Sequence, residues 1–321
     1  MKIMQWLLAF LLFGFIEAHA QQTKEQFNIP LRYLLSLPEG YNADTAKKWP
    51  LLIFLHGSGE SGEDLEKVKV HGPPKLIEQG KKLPFIVISP QANAAYGWQP
   101  ELLQHFLRSI KQQFRVDKER IYLTGLSMGG YGTWAWATKY PKEFAAIVPI
   151  CGGGDSSEVW KLKNTAVWCF HGAKDKVVVP EESYKMMDAL KKYNSSARLT
   201  IYPEAGHDSW TEAYNTDSLY TWLLSHTRKR FQPISLSANA LSQYSAAYSR
   251  TGTDTLKLQI ENGKLIAKTG GPNLELLPAG SDSFFFTEGD NQFEIKFSRN
   301  KKGNIDGFTF YGDRTFEFKK L

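Results

Sequence analysis

The chain has 321 residues, 42% of them hydrophobic, enough apolar material for one large core or two smaller ones. Its formal charge of +6 comes from 39 basic and 33 acidic side chains. The basic residues are scattered rather than striped and no nucleic-acid motif occurs. The charge therefore reads as a solvated surface with a mild leaning towards anionic polymers, and no nucleic-acid partner is expected.

Lys2 precedes an uncharged apolar run from Trp6 to Ile16, and Ala18-His19-Ala20 follows as a small-x-small cleavage site. This predicts a signal peptide over residues 1–20 and a periplasmic or secreted mature protein. The run is too short for a permanent membrane span. No cysteine stands at the cleavage site, so a lipid anchor is not expected.

Strand-like runs over 31–37, 51–55, 85–89, 120–124, 145–150, 166–171 and 198–202 then alternate with helical patterns over 101–114, 129–140, 181–193 and 216–228. That alternation predicts an α/β fold, a mostly parallel sheet with helices on both faces. Leu51-Leu52-Ile53-Phe54-Leu55 is apolar without alternation, as a central strand buried on both faces would be. The character changes after Arg228-Lys229-Arg230. Short alternating strands near 255–260, 264–269, 274–278, 282–287, 293–298, 306–311 and 314–319 are separated by turns such as Asn262-Gly263 and Lys302-Gly303-Asn304, which predicts an antiparallel meander or barrel. Residues 21–230 are expected to form a catalytic domain and 231–321 a small all-β domain.

Gly125-Leu126-Ser127-Met128-Gly129 lies between the run Ile121-Tyr122-Leu123 and the helical segment that follows. This Gly-x-Ser-x-Gly pattern, set between strand and helix, exposes a serine hydroxyl at the tip of a sharp turn. A serine is a weak nucleophile without a base, and the base needs an acid to hold it. Asp175 follows the strand ending at His171, and His207 follows the strand ending at Tyr202. The order Ser127, Asp175, His207 suits a triad assembled at the carboxyl edge of a parallel sheet. Asp208 is the rival acid, but a residue adjacent to His207 is poorly placed to reach its ring. The N–H groups of Met128 and, in His56-Gly57-Ser58-Gly59-Glu60, of Ser58 (Gly59 second) are the expected oxyanion donors.

Around this site, Trp98 and Trp210 fall in loops expected to border the triad and are candidate substrate platforms, with core or loop packing as the plainer role. Glu60 is a candidate ligand for a polar substrate group, with a capping or solvated carboxylate as the plainer role. His56 and His171 are expected to be buried and hydrogen-bonded, and Trp134 and Trp136 to be core. Cys151 and Cys169 lie in apolar runs and read as free thiols rather than a bridge. No metal ligand set and no cofactor motif occur, and no large insertion supplies a lid.

Segments spread in order through the first domain carry a resemblance. They are His56 to Glu60, Ser89-Pro90-Gln91 with Trp98, Gly125 to Gly132, Pro149 to Asp155, His171 to Asp175 and His207-Asp208-Ser209-Trp210. Residues 31–228 resemble α/β-hydrolase serine esterases of the "predicted peptidase" group, related to carbohydrate esterases and dienelactone-hydrolase-like enzymes. Residues 241–321 resemble the lipocalin-like domain appended to some bacterial serine hydrolases, through Tyr244, Glu261-Asn262-Gly263-Lys264-Leu265 and Gly303 to Phe308. The resemblance implies a secreted carboxylester hydrolase acting on a small-molecule or oligosaccharide ester, such as acetyl or feruloyl groups of plant polysaccharide. Ser127 stands where true dienelactone hydrolases have cysteine, which argues against their chemistry. Two other readings stand beside it. One is a prolyl-oligopeptidase-like peptidase, although no β-propeller sequence precedes the domain. The other is a silent ligand-binding protein, against which the intact set Ser127, Asp175 and His207 argues.

Overall fold

A computed structural model describes residues 31–321 apart from Thr251, Thr253, Thr269, Asp290 and Asp313. The signal peptide expected over 1–20 lies outside the described residues. Among those residues no helix is long and apolar enough to cross a membrane.

Seven strands form one sheet: β1 (Tyr33–Ser36), β2 (Trp49–Leu55), β3 (Ile86–Pro90), β4 (Val116–Leu126), β5 (Ala146–Ile150), β6 (Ala166–Gly172) and β7 (Arg198–Tyr202). Their order is β1-β3-β2-β4-β5-β6-β7, with β1 antiparallel to β3 and the others parallel. The unbroken apolar run in β2 has a simple cause. Leu51, Ile53 and Leu55 enter the core on one face, while Leu52 and Phe54 enter the core on the other. Alternate residues of a strand point to opposite faces, so a doubly covered strand must be apolar throughout.

The helices are α1 (Gly72–Glu78), α2 (Pro100–Gln113), α3 (Met128–Lys139), α4 (Glu181–Lys191), α5 (Trp210–Asn215) and α6 (Asp217–Leu224). Leu103 and Leu107 of α2, Trp134 of α3 and Met186 of α4 join the first core. Leu76 of α1, Trp210 of α5 and Leu219 of α6 join the second. Trp134 and Trp136 are fully buried, as the helical pattern requires. The helix expected over 216–228 ends at Leu224 instead. Beyond it the Arg228 guanidinium grips the Glu119 carboxylate at 2.7 and 3.1 Å, and its backbone N–H donates to Glu119 O, which draws the chain onto the edge of β4.

The remainder is a closed antiparallel barrel. After α7 (Ala238–Ser242) come β8 (Ala246–Ser249), β9 (Thr255–Glu261), β10 (Lys264–Lys268), β11 (Leu274–Pro278), β12 (Ser283–Glu288), β13 (Asn291–Arg299), β14 (Ile305–Tyr311) and β15 (Thr315–Lys320). Seven of these strands match the expected meander. The eighth, β8, pairs with both β15 and β9 and so closes the ring. Eight strands enclose a space that side chains can fill. Here Tyr244, Tyr248, Phe284, Phe297 and Phe308 fill it, with Tyr244 centred 4.7 Å from Phe284 and 4.6 Å from Phe297. The barrel interior is a packed core.

Candidate active site

Parallel pairing sets Leu55 beside Gly125 and Leu126 beside Ile150, so β2, β4 and β5 deliver their following loops to one edge. Ser127 heads α3 with φ 51° and ψ −118°. A side chain at that backbone conformation is strained, and the surroundings hold it: Ser127 N–H donates to Ile150 O at 3.0 Å, and its carbonyl accepts from Tyr131 N–H at 3.0 Å. The flanking glycines are needed for contact. A Cβ on Gly125 would lie 2.8 Å from Leu55 O, and one on Gly129 would overlap the Leu55 carbonyl. Because the obstacle is backbone rather than a movable side chain, Gly129→Ala should cost about 3 kcal/mol or more and lower Tm by roughly 6–12 °C in a thermal melt.

Ser127 Oγ lies 3.0 Å from His207 Nε2, and His207 Nδ1 lies 2.8 Å from Asp175 Oδ2. Asp175 has a fully buried side chain, and its Oδ1 accepts the N–H groups of Val177 and Val178 at 2.9 and 3.0 Å. Burial pushes its carboxyl up, but the hydrogen bond from His207 and the amides of Val178 and Val177 outweigh burial and hold it below the ordinary carboxylate value. An ionised carboxylate only accepts, so Nδ1 of His207 carries the proton and Nε2 presents its lone pair to the serine. Asp208 is exposed and accepts from Thr211 N–H and Oγ, in the first turn of α5, at 3.0 and 2.9 Å.

Ser58 opens a short 3-10 turn (Ser58–Glu60) just after β2, and Met128 opens α3. The first N–H groups of a helix have no acceptor within it. Gly57 lies against Leu126, with only 2.9 Å from its would-be Cβ to Leu126 Cδ1, so the two loops run side by side.

Two candidate substrate contacts lie deeper than a substrate platform would. Trp210 is 8% exposed, meets the His207 ring edge-on at 5.1 Å, and donates its indole N–H to His71 Nδ1 at 3.2 Å. Glu60 is also 8% exposed. Its Oε1 faces His71 Nε2 at 3.8 Å and its Oε2 faces His56 Nδ1 at 3.9 Å. Glu60, His71 and Trp210 thus form a contact series that reaches His207 through Trp210. His71 carried no signal in the sequence, because it meets Trp210 across 139 residues. The half-buried Trp98 donates its N–H to His56 O at 3.0 Å and lies against Gly132, so its polar end is turned into the protein. If Trp210 steadies His207, Trp210→Ala should lower kcat for a small ester by about 10- to 100-fold. Trp210→Phe, which keeps a ring against the imidazole, should retain most of the turnover in the same assay.

His56 and His171 are both fully buried and hydrogen-bonded. His56 Nε2 accepts from Ala92 N–H at 2.9 Å, so its Nδ1 donates to Gly57 O; burial lowers its pKa and keeps it neutral. Cys151 and Cys169 are free and buried, and burial pushes each thiol up to about 12. Among the described residues Cys151, Asp175 and His207 form a group close enough to hold a metal ion. The Cys151 thiol stays protonated and the other two are engaged with each other, so the set is poorly suited to a metal.

The comparisons with known proteins point the same way. Residues 97–220 match the model of the dienelactone hydrolase family. A solved thermostable esterase superposes with a TM-score of 0.54 and 30% identity, covering 62% of this chain and 60% of that one. The chain contains an α/β-hydrolase domain. The hydrolase domain is also similar to a protein of Aspergillus terreus named probable feruloyl esterase C, 25% identical over 50% of this chain and 61% of that protein. A bifunctional acetylxylan esterase/xylanase of Neocallimastix patriciarum is 21% identical over 56% of this chain and 27% of its own length. The chain thus spans less than two thirds of the length of either curated relative.

Proposed function

We propose that this chain is a secreted serine carboxylester hydrolase that removes acyl groups, acetyl or feruloyl, from plant polysaccharide or its oligosaccharides. The observation that carries the reading is the hydrogen-bonded series from Ser127 Oγ through His207 to the buried Asp175 carboxylate. Ser127 Oγ attacks the ester carbonyl while His207 Nε2 takes its proton. The N–H groups of Met128 and Ser58 hold the oxyanion. The bond to the leaving alcohol then breaks, and His207 returns its proton to that alcohol. A water molecule repeats the sequence on the acyl-enzyme and frees the acid and Ser127. Asp175 keeps the imidazole in the tautomer this requires and stabilises the imidazolium. Similarity to the Neocallimastix acetylxylan esterase/xylanase and the Aspergillus probable feruloyl esterase favours acetylated and feruloylated polysaccharide as substrates.

The test is an assay of the protein and of Ser127→Ala against p-nitrophenyl acetate, methyl ferulate, acetylated xylan and a proline-containing peptide. The esters should be cleaved by the unmodified protein alone. Cleavage of the peptide with no ester turnover would replace the esterase reading by a peptidase.

A further inference from the structure

The triad engages Ser127, Asp175 and His207 with one another, but two polar side chains beside it are left without partners. Tyr131 stands one turn into α3, four residues after Ser127, and its N–H donates to Ser127 O at 3.0 Å. Helical side chains lean towards the N-terminus of their helix, here towards Ser127. Tyr131 is 37% exposed, and its hydroxyl makes no hydrogen bond among the described residues. Glu182, in the first turn of α4, is half-buried. Among the described residues its carboxylate accepts no hydrogen bond and has no cation at bridging distance.

The backbone makes room for that carboxylate. After β5 the chain runs Gly152-Gly153-Gly154 between α3 and α4. A Cβ on Gly152 would lie 2.6 Å from Tyr131 N, and a Cβ on Gly153 would lie 2.2 Å from Glu182 Oε2. The three atoms nearest that second Cβ, at 2.2, 3.0 and 3.2 Å, all belong to the Glu182 side chain. Gly153 has no left-handed backbone, so no turn requires a glycine there. A side chain at 153 would displace the Glu182 carboxylate before anything else. The positive end of α4 favours a carboxylate, but one turned out to water would serve that purpose equally well. Burial raises the pKa of the Tyr131 phenol, with the charge of Glu182 the next largest cause and that of Asp175 a smaller one, so the hydroxyl stands within the field of both carboxylates.

A carboxylate only accepts hydrogen bonds, whereas a phenol both donates and accepts. A sugar hydroxyl suits both, donating to Glu182 and accepting from Tyr131. An ammonium group would pair with Glu182 but offer the Tyr131 O–H no acceptor, and an anion would be repelled by Glu182 and Asp175. The Tyr131 ring adds apolar area for the C–H face of a sugar. We propose that Tyr131 and Glu182 form a subsite beside Ser127 for the free hydroxyls of a neutral sugar that carries the ester, a substrate class that rests on the polysaccharide-esterase reading.

The experiment measures kcat/KM for a methyl β-xyloside monoacetate, which keeps free hydroxyls, for ethyl acetate, which has none, and for acetylcholine, which carries a cation. Glu182→Ala, checked by its melting temperature, should lower the ratio of xyloside to ethyl acetate by about tenfold, chiefly by raising KM for the xyloside. Glu182→Gln, which keeps an acceptor, should lower it less. Tyr131→Phe removes only a hydroxyl from a half-exposed ring and should lower the ratio by about fivefold; it decides alone should Glu182→Ala melt early. An unchanged ratio in Tyr131→Phe, or in a folded Glu182→Ala, would overturn the proposal. So would a preference for acetylcholine that the same variants lose, which would make the pair a cation site. Ethyl acetate turnover by the unmodified protein reports on the esterase reading separately. If it is hydrolysed while the ratio stays put, the subsite alone fails; if no ester is hydrolysed, both fail.

Discussion

Replacing Ser127 by glycine should abolish ester turnover and raise stability together. The hydroxyl is the proposed nucleophile, so both Ser127→Gly and Ser127→Ala should lower kcat by about 10^4- to 10^6-fold. The two variants separate on stability. Alanine keeps a Cβ at φ 51°, whereas glycine adopts that conformation freely. The glycine variant should therefore be about 1–3 kcal/mol more stable than the alanine variant in urea unfolding. Equal stability would mean that the turn holds no strain. Retained turnover in either variant would remove Ser127 from the chemistry.

Asp175→Asn should have the second largest effect, lowering kcat by about 10^4-fold with little change in overall fold. Asparagine still offers an oxygen to the N–H groups of Val177 and Val178. Towards His207 it presents either a donor or a neutral acceptor, and in the first case the imidazole must turn its lone pair away from Ser127. A linked effect on stability has a defined sign. The carboxyl of Asp175 titrates below its ordinary value of 3.8 in the folded protein. It therefore contributes stability that is present above that value and lost as pH falls through the folded pKa. Urea midpoints of wild type and Asp175→Asn should converge as pH drops below 3.8. A gap that stays constant with pH would show that the carboxylate is not held by charge-dependent bonds.

The parallel sheet was legible because burial on both faces writes an unbroken apolar run, as in β2, and because helices such as α2 and α4 keep one apolar stripe. That the three candidate residues Ser127, Asp175 and His207 would lie together was legible for a related reason: each follows such a run. Elements short in apolar residues were harder to see. Helix α1 begins Gly72-Pro73-Pro74, which reads as a turn although proline suits the first helical turn. Strand β8 is Ala-Ala-Tyr-Ser, of low β propensity, and gains its place only by pairing with β15 and β9. Side-chain depth was the least legible property. Trp210 and Glu60 sit beside polar and glycine residues in sequence, as surface residues would, yet tertiary packing buries both against His71. In the same way, Arg228-Lys229-Arg230 marked a boundary in the sequence, but only the fold brings it together with Lys142, Lys161 and Lys163.

The most direct measurement is covalent capture of the activated hydroxyl. The protein is treated with a fluorophosphonate at neutral pH, digested and read by mass spectrometry. The account predicts a single adduct, on the peptide that carries Ser127, and no adduct in His207→Ala over the same period. Labelling at another side chain, or none in a folded protein, would contradict it.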